Sequence, residues 1–474
     1  MLVQTGNHPA VLLTASLLLL TGCSESAFES HFVYSDATGE LMSEAQNGVG
    51  ELPGVKDLVE EHFGNPQQLK AWTKLPVKFG GASGTISAEP DTSAAVKELT
   101  LELDGDFSVA DGDALQLQFV TGDAAPSTVE VARLENGVAS LKAALAVHPK
   151  QGDQVVINGG GILKHGRTLY MRHCSHCHGT SGDGNGPTAR YLTPRPRDYR
   201  HGVFKFTSTT ALYKASRDDL ERVLRNGIPG TYMPSFVPML NDEDLVAVVE
   251  YIRFLAMRGE YERALVAELA GDYSSSAVSS RISGGEKRSE IAAELKDYLA
   301  EDLPENMIDG ADALASRWTD ADSEEALMVP EVGRVEDSED SRRRGRELYL
   351  SSAINCADCH GISGEGNGPQ TVIYEKNPVT QELYSESGLH DVWDNVNQPR
   401  NLTLGIYRGG RRPVDLFRRI HAGIKGSRMP SFKNLKHEDI WHIVNYVLSL
   451  PFEPEPGHGP VPEAAAPAAS TASL

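Results

Sequence analysis

Cys174-Ser175-His176-Cys177-His178 recurs as Cys356-Ala357-Asp358-Cys359-His360, and this recurrence constrains the chain more than any other feature. Self-similarity at a distance means that one structural unit is used twice. The likeness extends well past five residues. Gly166-Arg167-Thr168-Leu169-Tyr170 leads into the first motif and Gly345-Arg346-Glu347-Leu348-Tyr349 into the second. Gly182-Asp183-Gly184-Asn185-Gly186-Pro187 follows one and Gly364-Glu365-Gly366-Asn367-Gly368-Pro369 the other. Pro196-Arg197-Asp198 answers Pro399-Arg400-Asn401, and Met233-Pro234-Ser235-Phe236 answers Met429-Pro430-Ser431-Phe432. Each copy closes in a helical pattern, ending Tyr251-Ile252-Arg253-Phe254-Leu255 or Tyr446-Val447-Leu448-Ser449-Leu450.

A CxxCH in an exported chain points to covalent haem. The two thiols add to the vinyl groups, and the adjoining histidine ligates the iron. A thioredoxin-like dithiol and half of a zinc site are the competing readings. Two motifs in matching surroundings weigh against both. Of five cysteines, Cys174, Cys177, Cys356 and Cys359 belong to the motifs. The fifth is Cys23, so no pair remains for a structural disulfide.

Both copies resemble class I c-type cytochrome domains, and together they cover a little under half of the chain. The resemblance implies a mainly α fold with cytochrome c-like helical haem domains at 161–258 and 342–451, and two covalently attached c-type haems. It implies His178 and His360 as axial ligands on one side of each iron. On the other side it implies a methionine before the final helix, because thioether is a soft ligand that raises the haem potential. Met429 is the only methionine after His360. Met233 aligns with it, and Met239 is its rival; His201 and His421, the bis-His alternatives, occupy unlike places in the two copies. In the family a proline carbonyl orients the axial imidazole, which points to Pro187 and Pro369. Arg197 and Arg400 are candidates for clamping a haem propionate, with ordinary surface arginines as the alternative. Gly166, Tyr170 and Tyr251, and likewise Gly345, Tyr349 and Tyr446, match positions where terminal helices of this fold cross. The second copy spends 69 residues from histidine to methionine against 55 in the first, and the extra length, Thr371 to Gln398, predicts a loop over one haem edge.

The start of the chain reads as a lipoprotein signal over 1–22. Val11 to Leu20 is a short apolar run ending in Leu20-Thr21-Gly22-Cys23, which resembles a lipobox with Cys23 as the lipidated residue. The first ten residues carry no Lys or Arg, unlike most signal peptides; a buried N-terminal helix with a chance cysteine is the alternative. These signals place the protein in a bacterial cell envelope, periplasm-facing and held to a membrane by lipid.

Residues 23–160 predict a small β-rich or mixed spacer module, with a helix over Val55–Phe63 and strands at Leu99–Leu103, Leu115–Phe119 and Val155–Ile157. Residues 259–341 predict an acidic, partly helical linker: Ile291, Leu295, Tyr298 and Leu299 make one helical stripe, Leu265 and Leu269 suggest another, and the short helices are expected to pack on a haem module, joined by mobile loops such as Ser274 to Gly285. Residues 452–474 predict a disordered Pro/Ala-rich tail. Net charge is −13 over 24–160, +5 over 161–259 and −15 over 260–340, so the acidity lies outside the repeats. An acidic total excludes nucleic acid as a natural partner.

Three function classes follow. The first is an electron carrier between redox proteins or within a membrane respiratory complex, with no bond chemistry of its own. The second is an enzyme resembling the dihaem peroxidases, which needs one open haem position. The third is a sensor in which the N-terminal module binds a ligand. The shared Met-bearing loop favours the carrier.

Overall fold

The computed structural model describes residues 31–35, 38, 41–42, 52–72, 74–91, 95–103, 115–120, 127–145, 149–157 and 160–452. Cys23, the apolar run before it and the Pro/Ala-rich tail lie outside the described residues. Helix α1, Val55–Phe63, forms where the sequence predicts it. Val55, Val59 and Phe63 make a buried stripe at helical spacing, and the Asp57 carboxylate accepts from the Gly54 N–H at 2.8 Å to cap the first turn.

Six antiparallel strands follow: β1 Ala82–Ile86, β2 Glu98–Leu103, β3 Leu115–Val120, β4 Ser127–Glu135, β5 Val138–Leu141 and β6 Gln154–Ile157. They close in the order β1-β2-β5-β4-β3-β6 as a barrel. Alternation fills it: Ile86, Leu99, Leu101, Leu117, Phe119, Val131, Ala139 and Ile157 pack inside. The β4–β5 hairpin turns on Asn136 and Gly137, at φ 48° and 77°. Asn-Gly is the pair that a two-residue turn with positive φ selects.

The first repeat comprises α2 Gly161–His173, α3 Ser175–His178, α4 Arg217–Asn226 and α5 Asp242–Tyr273. After it come α6 Ser275–Ser283, α7 Arg288–Ala300 and α8 Asp302–Asp320. The second repeat comprises α9 Glu339–Leu350, α10 Cys356–His360, α11 Pro413–Ala422 and α12 His437–Ser449. In both copies the first helix crosses the last at a glycine. A Cβ on Gly166 would overlap the Ala247 carbonyl oxygen, and one on Gly345 that of His442. The flanking tyrosines repeat as well: Tyr170 packs on Tyr251 at 5.2 Å between ring centroids and Tyr349 on Tyr446 at 5.3 Å. Tyr170 Oη donates to the Gly179 carbonyl at 2.8 Å and Tyr349 Oη to that of Gly361 at 2.7 Å, tying each helix pair to the loop behind its CxxCH.

The structure departs from the sequence reading between the repeats. α5 runs unbroken for 32 residues, so the boundary expected at 258 falls inside a helix. Ser274 to Gly285 is not a loop: the Ser274 hydroxyl caps α6 by accepting from the Ala277 N–H at 3.4 Å. The acidic segment packs on the first repeat, as its helical stripes predict, and does so without mobile loops between α5 and α6. Leu265, Leu269, Val278, Ile291, Leu295, Leu303, Leu314 and Trp318 join the same core as the first repeat. Phe32, Val55, Phe63, Trp72 and Phe79 enter that core from the N-terminal side. The segment expected to form one spacer therefore divides into a wrap around the first repeat and a barrel with its own core. Arg258 is fully buried beneath Phe32 and Tyr34, at 4.3 and 4.5 Å from their centroids, and pairs with Glu262 at 3.5 Å. A buried cation needs such partners. The second repeat keeps a core of its own around Tyr349, Phe417, Trp441 and Tyr446. Among the described residues no helix is long and apolar enough to cross a membrane.

Candidate cofactor sites

Each repeat encloses a cavity of about 400 Å³. Cys174, Cys177, His178 and Met233 line one; Cys356, Cys359, His360 and Met429 line the other. The cysteine pairs thus stand in separate cavities, and all four thiols are free. Burial pushes the thiols of Cys174 and Cys356 up to about 12. The motif is one short helical turn in both copies, ended by Gly179 at φ 74° or Gly361 at φ 78°.

The imidazoles are fixed through Nδ1. His178 Nδ1 donates to the Arg197 carbonyl at 3.1 Å, and His360 Nδ1 to the Arg400 carbonyl at 3.1 Å. This corrects the expectation for Pro187 and Pro369. Neither proline carbonyl takes the bond and neither residue lines a cavity. Both prolines sit where the loop turns away: Gly186 N–H donates back to the Cys177 carbonyl, and Gly368 N–H to that of Cys359, each at 3.1 Å. The acceptor lies in the later Pro-Arg segment, which packs against the glycine-rich loop so closely that Cβ atoms on Gly184 and Gly366 would meet the Pro196 and Pro399 carbonyls. With Nδ1 occupied as a donor, Nε2 is the nitrogen left for a metal. Burial holds His178 down to about 4 and moves His360 in the same direction, which favours the neutral imidazole in both. Tyr199 stacks on His178 at 4.8 Å between centroids.

The methionine loops are built alike. Ile228 N–H donates to the Met233 carbonyl at 3.0 Å, and Ile424 N–H to that of Met429 at 3.2 Å. The Thr231 hydroxyl donates to Ile228 and accepts from Met233 N–H at 3.1 Å; Ser427 does the same for Ile424 and Met429, at 3.2 Å. Phe236 N–H and Phe432 N–H tie the loops back to α4 and α11 at 2.9 and 3.1 Å. Met239 also touches the first cavity, but it is half exposed at the rim, whereas Met233 holds the place of Met429. His201 and His421 line neither cavity.

Arg197 and Arg400 line their cavities, yet their side chains have further contacts. The Arg197 guanidinium lies 3.4 Å from the centroid of the Trp393 ring, and Arg400 Nε donates to the Ile406 carbonyl at 2.9 Å. The segment 371–398 contributes Leu389, Asn397 and Gln398 to the second cavity, and its tip reaches the first repeat, where Asp391 pairs with Lys205 at 3.0 Å. It braces the two modules as well as covering a cavity. Lys205, Phe206 and Arg408 line both cavities, and the motif comparison did not single them out. Two thiols able to form covalent links, with an imidazole and a thioether as soft donors, repeated around an apolar cavity, fit a c-type haem.

These features define two cytochrome c domains beside a small barrel. Comparison with known families agrees. Residues 162–252 match the family described as cytochrome c oxidase, cbb3-type, subunit III, and residues 343–451 match the family described as cytochrome c. Among solved structures, a chain of the Kuenenia stuttgartiensis reducing HAO-like protein complex is similar at 21% identity and a TM-score of 0.42, over 60% of this chain and 96% of that one. No curated protein matches the chain.

Proposed function

We propose that this protein is a dihaem cytochrome c, held to a membrane by a lipid on Cys23 and facing the periplasm, that passes single electrons between respiratory redox partners. The observation that carries the reading is the doubled donor set, with Cys174, Cys177, His178 and Met233 in one cavity and Cys356, Cys359, His360 and Met429 in the other. A bound haem supplies an iron that cycles between the ferric and ferrous states. The chain's own residues do the rest. Arg197 and Arg400 carbonyls hold the imidazoles in one tautomer, and the Thr231 and Ser427 hydroxyls shape the loops that present the two thioethers. Leu220, Leu224, Phe236 and Ile252 in one cavity, and Leu416, Ile420, Phe432 and Ile443 in the other, keep the walls apolar and exclude water. Arg197 and Arg400, at the cavity walls, are proposed to face the propionates. A carrier needs both axial positions filled and no open site, which distinguishes this reading from the peroxidase-like one.

The test is a covalent haem count with a spectroelectrochemical titration of the purified full-length chain. The expected result is two haems per chain, low-spin in both oxidation states and slow to bind carbon monoxide. One haem per chain, or a high-spin centre that turns over peroxide, refutes the proposal.

A further inference from the structure

The two repeats meet in a reciprocal way. Aligning Arg197 with Arg400 places Val203-Phe204-Lys205-Phe206 opposite Ile406-Tyr407-Arg408-Gly409, after single 3-10 turns at Tyr199–His201 and Leu402–Leu404. Aligning the methionines places Gly230 with Gly426. A Cβ on Gly230 would lie 3.2 Å from Ile406 of the second repeat, and a Cβ on Gly426 would lie 3.2 Å from Val203 of the first. Equivalent residues thus make equivalent contacts in both directions, as at an isologous dimer interface. At the centre the symmetry breaks, for a physical reason. Phe206 packs on Gly409, where a Cβ would come within 2.7 Å of the ring, so two phenylalanines would not fit.

The same segment forms the shared wall of the two cavities. Lys205 and Arg408 are equivalent in the repeat, and each lines both cavities together with Phe206. Arg197, Lys205 and Arg408 bring three cations to this wall, and Asp391 pairs with one of them, Lys205, at 3.0 Å. Arg408 Nε is buried with no hydrogen-bond partner. Cations gathered away from water need anions to compensate them. The cavities open on this wall from both sides, and their proposed occupants each carry two propionates. The interface is also fixed: Lys425 Nζ donates to the Thr209 hydroxyl at 2.9 Å, and Met328 N–H to the Ser208 carbonyl at 2.9 Å.

We infer that Lys205, Phe206 and Arg408 form a shared junction at which both cofactors turn their carboxylate edges towards one cationic wall, so that the two redox centres are electrostatically coupled and exchange electrons within one rigid body. The inference rests on the dihaem reading. Lys205 and Arg408 are positioning residues here: they set charge and orientation and take no part in bond chemistry. A cation near an iron site favours the reduced state, which carries one positive charge fewer, and so raises the potential.

The experiment is a spectroelectrochemical titration of the holoprotein with Arg408→Gln, Lys205→Gln, Arg408→Lys and, as a control at an exposed position of α8, Arg317→Gln. Arg408→Gln and Lys205→Gln each lower both midpoint potentials, Arg408→Lys restores both, and Arg317→Gln moves neither. A shift confined to the substituted residue's own module, or no shift, overturns the inference. The unmodified protein supplies a second measurement that no folding defect can obscure. The electron paramagnetic resonance signal of each ferric centre changes when the other is reduced; two independent, additive signals overturn the junction. Fewer than two covalent haems, by contrast, would sink the carrier reading and not this one alone.

Discussion

Trp318→Ala tests whether the acidic segment after α5 is part of the first haem domain or a tether. Trp318 is 0% exposed, and its Nε1 donates to Glu260 at 2.8 Å. Its ring lies 4.9 Å from the Arg253 guanidinium and 6.3 Å from Phe204, which itself lines the first cavity. Emptying such a site costs about 3–5 kcal/mol from lost burial and the residual cavity. The cation–π contact with Arg253 adds about 1 kcal/mol. With a urea slope of about 3 kcal/mol/M, a combined loss of about 5 kcal/mol lowers the unfolding midpoint by about 1.7 M. Trp318→Phe keeps most of the ring but drops the N–H donor, and costs about 1 kcal/mol because Lys214 still pairs with Glu260. The assay is urea unfolding of the full-length holoprotein, followed by far-ultraviolet circular dichroism and by the haem absorbance of the first module. Both probes shift together if the core is shared. A tether predicts a change within about 0.5 kcal/mol, as for an exposed site; that result refutes the merged core.

Other expectations follow from single contacts. Gly345→Ala drives a methyl into the His442 carbonyl and destabilises the second module by about 1–3 kcal/mol, read as a lower thermal midpoint for that module's haem band. Met429→His lowers the potential of the second haem, and Met233→His that of the first; a shift from Met239→His in place of Met233→His would refute the loop assignment. Burial lowers the His62 pKa, so the unfolded chain takes up the proton first as pH falls. Stability contributed by neutral His62 is therefore present above the ordinary value of about 6.5 and is lost as pH drops below it; in His62→Phe the urea midpoint changes less between pH 7.5 and 5.5. Mass spectrometry of the N-terminal peptide is expected to show acylated Cys23, and an unmodified peptide running through Cys23 contradicts the anchor.

The two matching cavity linings were legible because the motifs that supply them are local and repeated. Cysteine, cysteine and histidine lie within one turn, and the methionine loops repeat residue for residue. Gly166 and Gly345 were legible for a similar reason, since a helix crossing that close tolerates no Cβ. The histidine acceptor was not, because a backbone carbonyl leaves no side-chain signature. Arg197 and Arg400 drew attention for their guanidinium groups, while their carbonyls take the imidazole bond. In the barrel, β2 and β3 showed as apolar alternation and β6 as a short apolar run, but the β4–β5 hairpin was missed although Asn136-Gly137 announces it. In the acidic segment the stripe through Ile291, Leu295 and Leu299 of α7 was legible as a helix face, while Leu314 and Trp318 of α8, which join the same core, were hidden in a stretch whose composition is dominated by charge.

The junction between the modules shows a different kind of legibility. Positions shared by the repeats report what one haem domain needs alone: the CxxCH, the Met-Pro-Ser-Phe, the crossing glycines. Positions that diverge report how two such domains meet. Lys205 against Arg408 conserves charge with altered shape, and Phe206 against Gly409 exchanges large for small where the two copies touch. Neither difference has meaning within one copy. Each becomes intelligible only once the interface is seen, because a residue near a pseudo-two-fold axis faces its own counterpart. Equal bulk on both sides of that axis would overpack it. Asp391 and Trp393 then grip the first repeat from an insertion the first repeat lacks. That one-sided brace converts a symmetric contact between two haem domains into a fixed internal arrangement of one chain.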